Sequence, residues 1–187
     1  MSLQSWQETL ITAQVDGPTL ATFTTATSML PPAARYTLPA GYFSAIGKAL
    51  RITIAGRISN VVTSQPTFTF DVRMGPTSNI IVFNGGAMTT STTAHTSVPF
   101  FWDVLLTCRA IGSGTTANLM GQAKVTSQAF VSSGATADPA GSHTVLLTPN
   151  TAPAVGTGFD STVAMVVDVF AACQTSNAGN GLTVHQY

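Results

Sequence analysis

The chain is predicted to be all-β, an antiparallel sandwich of jelly-roll type with about eight strands and an irregular N-terminal arm. Three observations predict it. Apolar residues alternate with polar ones at a period of two from Lys48 onward, and the alternating stretches are separated by Gly, Pro, Asn and Ser turns. No segment keeps an apolar period near 3.6 over three capped turns, while Val and Thr are abundant. A parallel α/β fold is disfavoured because its crossover helices are missing.

Residues 1–46 read as the extended arm and 47–187 as the sandwich. The arm carries turn signals at Asp16-Gly17-Pro18, Pro31-Pro32 and Pro39-Ala40-Gly41. Leu3, Trp6 and Leu10 fit one face of a short helix or the anchor of an extended segment, and both readings stand. Trp6, Tyr36, Tyr42 and Phe43 lie outside the strand pattern. An aromatic in such an arm has little core of its own to enter, which points to burial on a neighbouring subunit, with Arg35 adding directional hydrogen bonds; packing back on the same domain is the alternative.

The first strand comes from GKALRITIAGRISN (47–60), with Leu50, Ile52, Ile54 and Ile58 alternating against Arg51, Thr53 and Arg57. TFTFDVRM follows with Phe68, Phe70, Val72 and Met74. NIIVFNGG reads as a short strand ending in a turn at Asn84-Gly85-Gly86. FFWDVLLTCRA sets Trp102, Val104, Leu106 and Cys108 on one face, and LMGQAKVTSQAF continues with Leu119, Ala123 and Val125. Gly121 marks a bulge or a close backbone approach. HTVLLT offers Val145 and Leu147, and STVAMVVDVFAACQ puts Val163, Met165, Val167, Val169, Ala171 and Cys173 together with Asp168 opposite. The loop from Thr148 to Gly158 is long enough to cross between sheets, and GLTVHQY supplies the last strand.

Charge excludes several functions. Only 7% of residues are charged, against about a quarter in an ordinary soluble protein, and seven acids balance seven bases. Lys48, Arg51 and Arg57 crowd one stretch, but a nucleic-acid surface needs more uncompensated charge than that. An uncharged, Thr-rich exterior also lacks the repulsion that keeps monomers apart, which favours an oligomer or a large assembly. No basic n-region or long apolar run suggests a signal peptide or a membrane span, so the expected site of synthesis is a cytoplasm.

No catalytic or cofactor motif is legible. There is no G-x-S-x-G, H-E-x-x-H or P-loop ending. His95, His143 and His185 have no paired metal-ligand spacing, and Cys108 and Cys173 fit buried thiols better than a zinc pattern. Asp71, which alternates with Arg73, and Asp103 are explained more simply by cross-strand pairing with Arg51, Arg57 or Arg109 than by glycosidase chemistry. The expectation is no enzyme, no cofactor and no metal.

Several phrases resemble small structural proteins of tailed bacteriophages that infect actinobacteria. They are LPPAARYTLPAGYFSAIGKALRITIAGRISN (30–60), TFTFDVRMG (67–75), IIVFNGGAM (80–88), PFFWDVLLTCRAIGSGTTANLMGQAKVTSQA (99–129) and LTVHQY (182–187). These are scaffold phrases, so the resemblance implies a fold and a virion context and no catalytic set. It implies a capsid decoration or cement protein on the outer shell, a homotrimer whose partners are the major capsid protein and its own copies, with no nucleic acid or membrane. A minor tail or baseplate protein and a carbohydrate- or receptor-binding module are the alternatives, the latter through GSGTTANLMGQ with Asn118 and Gln122. Weak partner-binding residues are Trp6, Arg35, Tyr36, Tyr42, Phe43, Arg51 and Arg57. If the arm is an anchor, deleting 1–46 abolishes shell binding and leaves the sandwich folded.

Overall fold

A computed structural model describes residues 7–12, 14–61, 65–132, 143–152 and 154–187. Leu3, Trp6 and Asp138 lie outside the described residues. The alternating stretches form long strands: β1 (Leu20–Ala21), β2 (Thr27–Ser28), a 3-10 turn at Pro32–Ala34, β3 (Tyr36–Leu38), β4 (Ala49–Asn60), β5 (Thr67–Met74), β6 (Ile80–Thr89), β7 (His95–Ala110), β8 (Asn118–Ser127), β9 (Thr144–Thr148), β10 (Met165–Cys173) and β11 (Gly181–Gln186). One sheet runs β1-β11-β4-β7-β8-β9. The other runs β2-β10-β5-β6, with β3 also on β10. Every pairing is antiparallel.

The two sheets meet face to face over aromatic side chains. Phe70 of β5 lies 5.3 Å from Trp102 of β7 and 5.9 Å from Phe100, centroid to centroid, and Phe83 of β6 lies 6.4 Å from Trp102. Around them Ile54, Ile58, Val104, Leu106, Leu119, Val125 and Val169 are buried. Each such side chain contributes about 1.5–3 kcal/mol, which is what holds the layers together. Gly121 makes the close approach its position suggested: a Cβ there would overlap the Phe83 ring, so this glycine seats β6 against β8.

Four expectations need correction. Asn84-Gly85-Gly86 is no turn, because β6 runs through it to Thr89 with a register shift against β5. Gly86 adopts φ +74° and its N–H donates to Asn84 Oδ1 at 2.8 Å, so the glycine pair absorbs a bulge inside the strand. Val163 precedes β10 and is exposed. Val145 and Leu147 point outward, because Thr144 and Thr148 take the buried positions of β9. The fourth correction concerns the arm.

The arm is stitched onto both sheets. β1 pairs with β11, while β2 and β3 pair with β10. Leu20, Phe23, Met29, Leu30, Ala34, Leu38 and Phe43 are buried in the same core as the strands. Phe43 is 1% exposed, edge-on to Phe159 at 5.8 Å, so it is filled space inside its own domain and no anchor for a neighbour. The burial of these arm residues argues against the expectation that the sandwich stays folded without residues 1–46. The chain between Thr148 and Gly158 crosses between the sheets as expected, Gly156 N–H donating to Leu119 of β8 and Thr157 N–H to Ile81 of β6.

Candidate interaction face

Pairing register turns the outer surface of the six-stranded sheet into a grid. Arg51 of β4 stands beside Leu105 of β7 and Gln122 of β8. The next row holds Thr53, Asp103, Lys124 and Leu147, and the one after it Ala55, Phe101, Thr126 and Val145. Side chains on alternate residues share this face because the pleat repeats every two. Leu147 is 73% exposed, Val145 56%, Leu105 51% and Phe101 36%. Apolar side chains therefore occupy outward positions where Thr, Lys or Glu would be ordinary, on paired strands of the larger sheet.

Charges interleave with them. Arg51 Nε and Nη2 donate to the two Asp103 carboxylate oxygens at 2.8 and 2.6 Å, and Thr53 Oγ1 donates to Oδ1 at 3.3 Å. That fork holds the Asp103 carboxyl below its ordinary value, with Lys124 across the strand pair pulling the same way. Arg57 donates to the Ser97 carbonyl at 3.2 Å and stays exposed. Arg109 follows buried Cys108 and so points outward as well. Among the described residues no carboxylate lies within ion-pair distance of Arg57, Arg109 or Lys124.

The outer surface of the other sheet is built the opposite way. Asp71 and Arg73 of β5 face Phe170 and Asp168 of β10, and both acids are buried. Arg73 donates to Asp71 at 3.0 Å and lies over the Phe170 ring at 4.5 Å. Asp168, 1% exposed, accepts from Ser28 Oγ at 2.7 Å and from the Val169 N–H at 2.8 Å, and Arg35 Nε stands 3.0 Å from its second oxygen. Burial raises both carboxyls, the more so because Asp71 Oδ1 and Asp168 Oδ2 receive no aligned hydrogen bond; Ser28 and Arg35 at Asp168, and Arg73 at Asp71, pull the other way. Asp168 is thus opposite the core-facing residues, as expected, yet hidden under the arm at the floor of a recess of about 580 Å³ that Ser28, Arg35 and Phe170 also line.

Of the residues singled out in the sequence, Trp6 lies outside the described residues. Arg35 is committed to Asp168. Tyr36 of β3 packs partly against the core. Tyr42 sits edge-on to Phe43 and carries Lys48, whose Nζ lies 3.9 Å from the ring centroid and donates to the Tyr42 carbonyl at 2.6 Å. Arg51 and Arg57 share the open face. The structure thus separates the set, with the arm residues packed on their own domain and the two β4 arginines facing outward. Sequence reasoning missed Phe101, Leu105, Val145, Leu147, Arg109 and Lys124. A signal existed for the first two: opposite Trp102, Val104 and Leu106, the polar positions of β7 are taken by Phe101 and Leu105.

The remaining polar groups are used locally. His95 Nδ1 meets Asn60 at 3.1 Å, His143 meets Gln128 at 3.4 Å, and His185 pairs with Asp16 at 2.9 Å. Asp160 caps the glycine-rich turn, accepting from Gly114 N–H and from both donors of Thr162, which hold it below the ordinary carboxylate value. Cys108 and Cys173 are buried free thiols, pushed up by burial. Asp71 and Asp103 sit in different sheets. Among the described residues there is no group of three or more His, Cys, Asp or Glu that could hold a metal, and no helix is long and apolar enough to cross a membrane. No family model, no curated protein and no solved structure matches this chain.

Proposed function

We propose that the chain is a virion structural protein of a tailed bacteriophage, a decoration or cement protein that clamps the outer surface of the assembled shell. The observation that carries this reading is the open face of the six-stranded sheet, where Phe101, Leu105, Val145 and Leu147 stand exposed among a few charges. A patch with apolar centres and a polar surround has the anatomy of a protein interface. The resemblance of the strand phrases to actinobacteriophage structural proteins supports the virion setting, and the commitment of the described acids to local partners supports a role without chemistry. In fold terms, the nested pairing of β4 with β11, β5 with β10 and β7 with β8 supports a jelly-roll-like winding. The nearly uncharged exterior supports assembly as a homotrimer.

A clamp of this kind stabilises by mass action, binding the assembled lattice and not its dissociated subunits. Quantitative mass spectrometry of purified virions tests the reading. Copies comparable in number to the shell subunits are expected. A copy number matching only a tail tip would move the protein to the tail, and absence from virions would end the proposal.

A further inference from the structure

We infer that the open face docks on an acidic protein surface, one that presents carboxylates interleaved with apolar side chains. This rests on the shell-clamp reading and names the chemistry of the lattice site it requires.

The chain is neutral overall but its charges are sorted. Of the seven bases, Arg35, Arg51 and Arg73 have carboxylate partners, and Lys48 is spent on the Tyr42 ring and carbonyl. The other three, Arg57, Arg109 and Lys124, all emerge on the outer surface of the six-stranded sheet. Its one acid among these strands, Asp103, already has both oxygens held by Arg51. Arg57 pairs in register with Pro99, and Arg109 lies further along the same β7, a span of about 34 Å at ~3.4 Å per residue. Phe101 and Leu105 lie between these ends, with Lys124 on the neighbouring strand. The face therefore carries Arg57 and Arg109 at its two ends and Lys124 in the middle row, interleaved with the apolar positions.

That arrangement selects the occupant. A second copy presenting the same face would set arginine and lysine against arginine and lysine, with no spare carboxylate among the described residues of the face to relieve them, which disfavours its pairing with itself. A nucleic acid offers phosphates but nothing for Leu105 and Leu147, and binding at useful salt takes roughly 6–10 phosphate contacts. An acidic protein surface satisfies both features, with carboxylates for the three bases and side chains for the apolar positions.

The test is co-sedimentation of the full-length protein with assembled shells of the phage that encodes it, across a salt series, with naked DNA and anionic vesicles as parallel probes. Wild-type binding should weaken as salt rises. Lys124→Glu and Arg57→Glu should each weaken it about tenfold and flatten its salt dependence, with unfolding curves showing both variants folded; Lys124→Arg should bind as wild type. Shell binding that ignores salt and both reversals overturns the acidic partner and leaves the clamp standing. Preference for DNA or vesicles over shells overturns a protein partner. Failure of the wild type to bind shells at any salt overturns the clamp reading and this inference with it.

Discussion

The two outer faces of this sandwich solve the same problem in opposite ways. On the five-stranded side, Asp71, Arg73, Asp168 and Arg35 neutralise one another beneath the arm, with Ser28 reaching in from β2. On the six-stranded side no described segment lies over the grid; only the Arg51–Asp103 fork is internally paired, and the apolar side chains stand in solvent. The first face is finished by its own chain, the second is unfinished. A protein with so few charges that leaves three bases beyond ion-pair distance of any described carboxylate on one surface is equipped to choose a partner there, since each charge has little competition from others.

Deleting residues 1–46 attacks the finished face and should have the largest effect. It removes the buried Leu20, Phe23, Met29, Leu30, Leu38 and Phe43, each worth about 1.5–3 kcal/mol, against a typical total stability of about 5–15 kcal/mol. The truncated chain should not fold, as circular dichroism and a lost unfolding transition would show. A cooperative transition near that of the intact protein would mean the arm is an accessory after all.

Arg35→Ala should come next. It strips the nearest cation from a buried carboxylate and leaves Asp168 with Ser28, its neighbour's N–H and the more distant charge of Arg73, which costs about 1–3 kcal/mol in urea unfolding. The pH dependence then separates the faces. Asp168 has a raised folded value, so it binds its proton more tightly folded than unfolded; its contribution grows as pH falls through the raised value toward the ordinary value of about 3.9. Asp168→Asn should abolish that gain, and a wild-type advantage over it that does not change with pH would show the carboxyl does not titrate in the fold.

Asp103 has the opposite sign and the smallest effect. Its folded value is depressed, so its stabilisation is full above the ordinary carboxylate range and is lost as pH falls through the depressed value. Asp103→Asn on this solvated face should lower neutral-pH stability by only about 0.2–1 kcal/mol, and the deficit should vanish in acid. A larger loss, or one that persists in acid, would mean the open face matters to the fold as much as the closed one.

Much of the strand pattern was legible because alternation is a local property. Leu50, Ile54 and Ile58, or Trp102, Val104, Leu106 and Cys108, declare their common face without reference to anything distant. Two kinds of information were not local. In TVLLT every central residue is apolar, so alternation could not say that Leu146 turns toward the core side while Val145 and Leu147 face out. The arm's residues carry no strand period; Phe43 enters the core because Phe159 waits there, far along the chain.

By itself, then, the sequence determined that this chain builds antiparallel strands, where most of them run, and that it carries no legible catalytic motif. Those follow from periodicity, turn residues and motif spacing, which neighbours in the chain set. Only the tertiary structure decided which face is closed and which is open. That depends on Ser28 and Arg35 reaching Asp168, and on Arg57, Lys124 and Arg109 arriving on one surface from three strands. Such meetings are fixed by strand order and register, which no local stretch of sequence encodes.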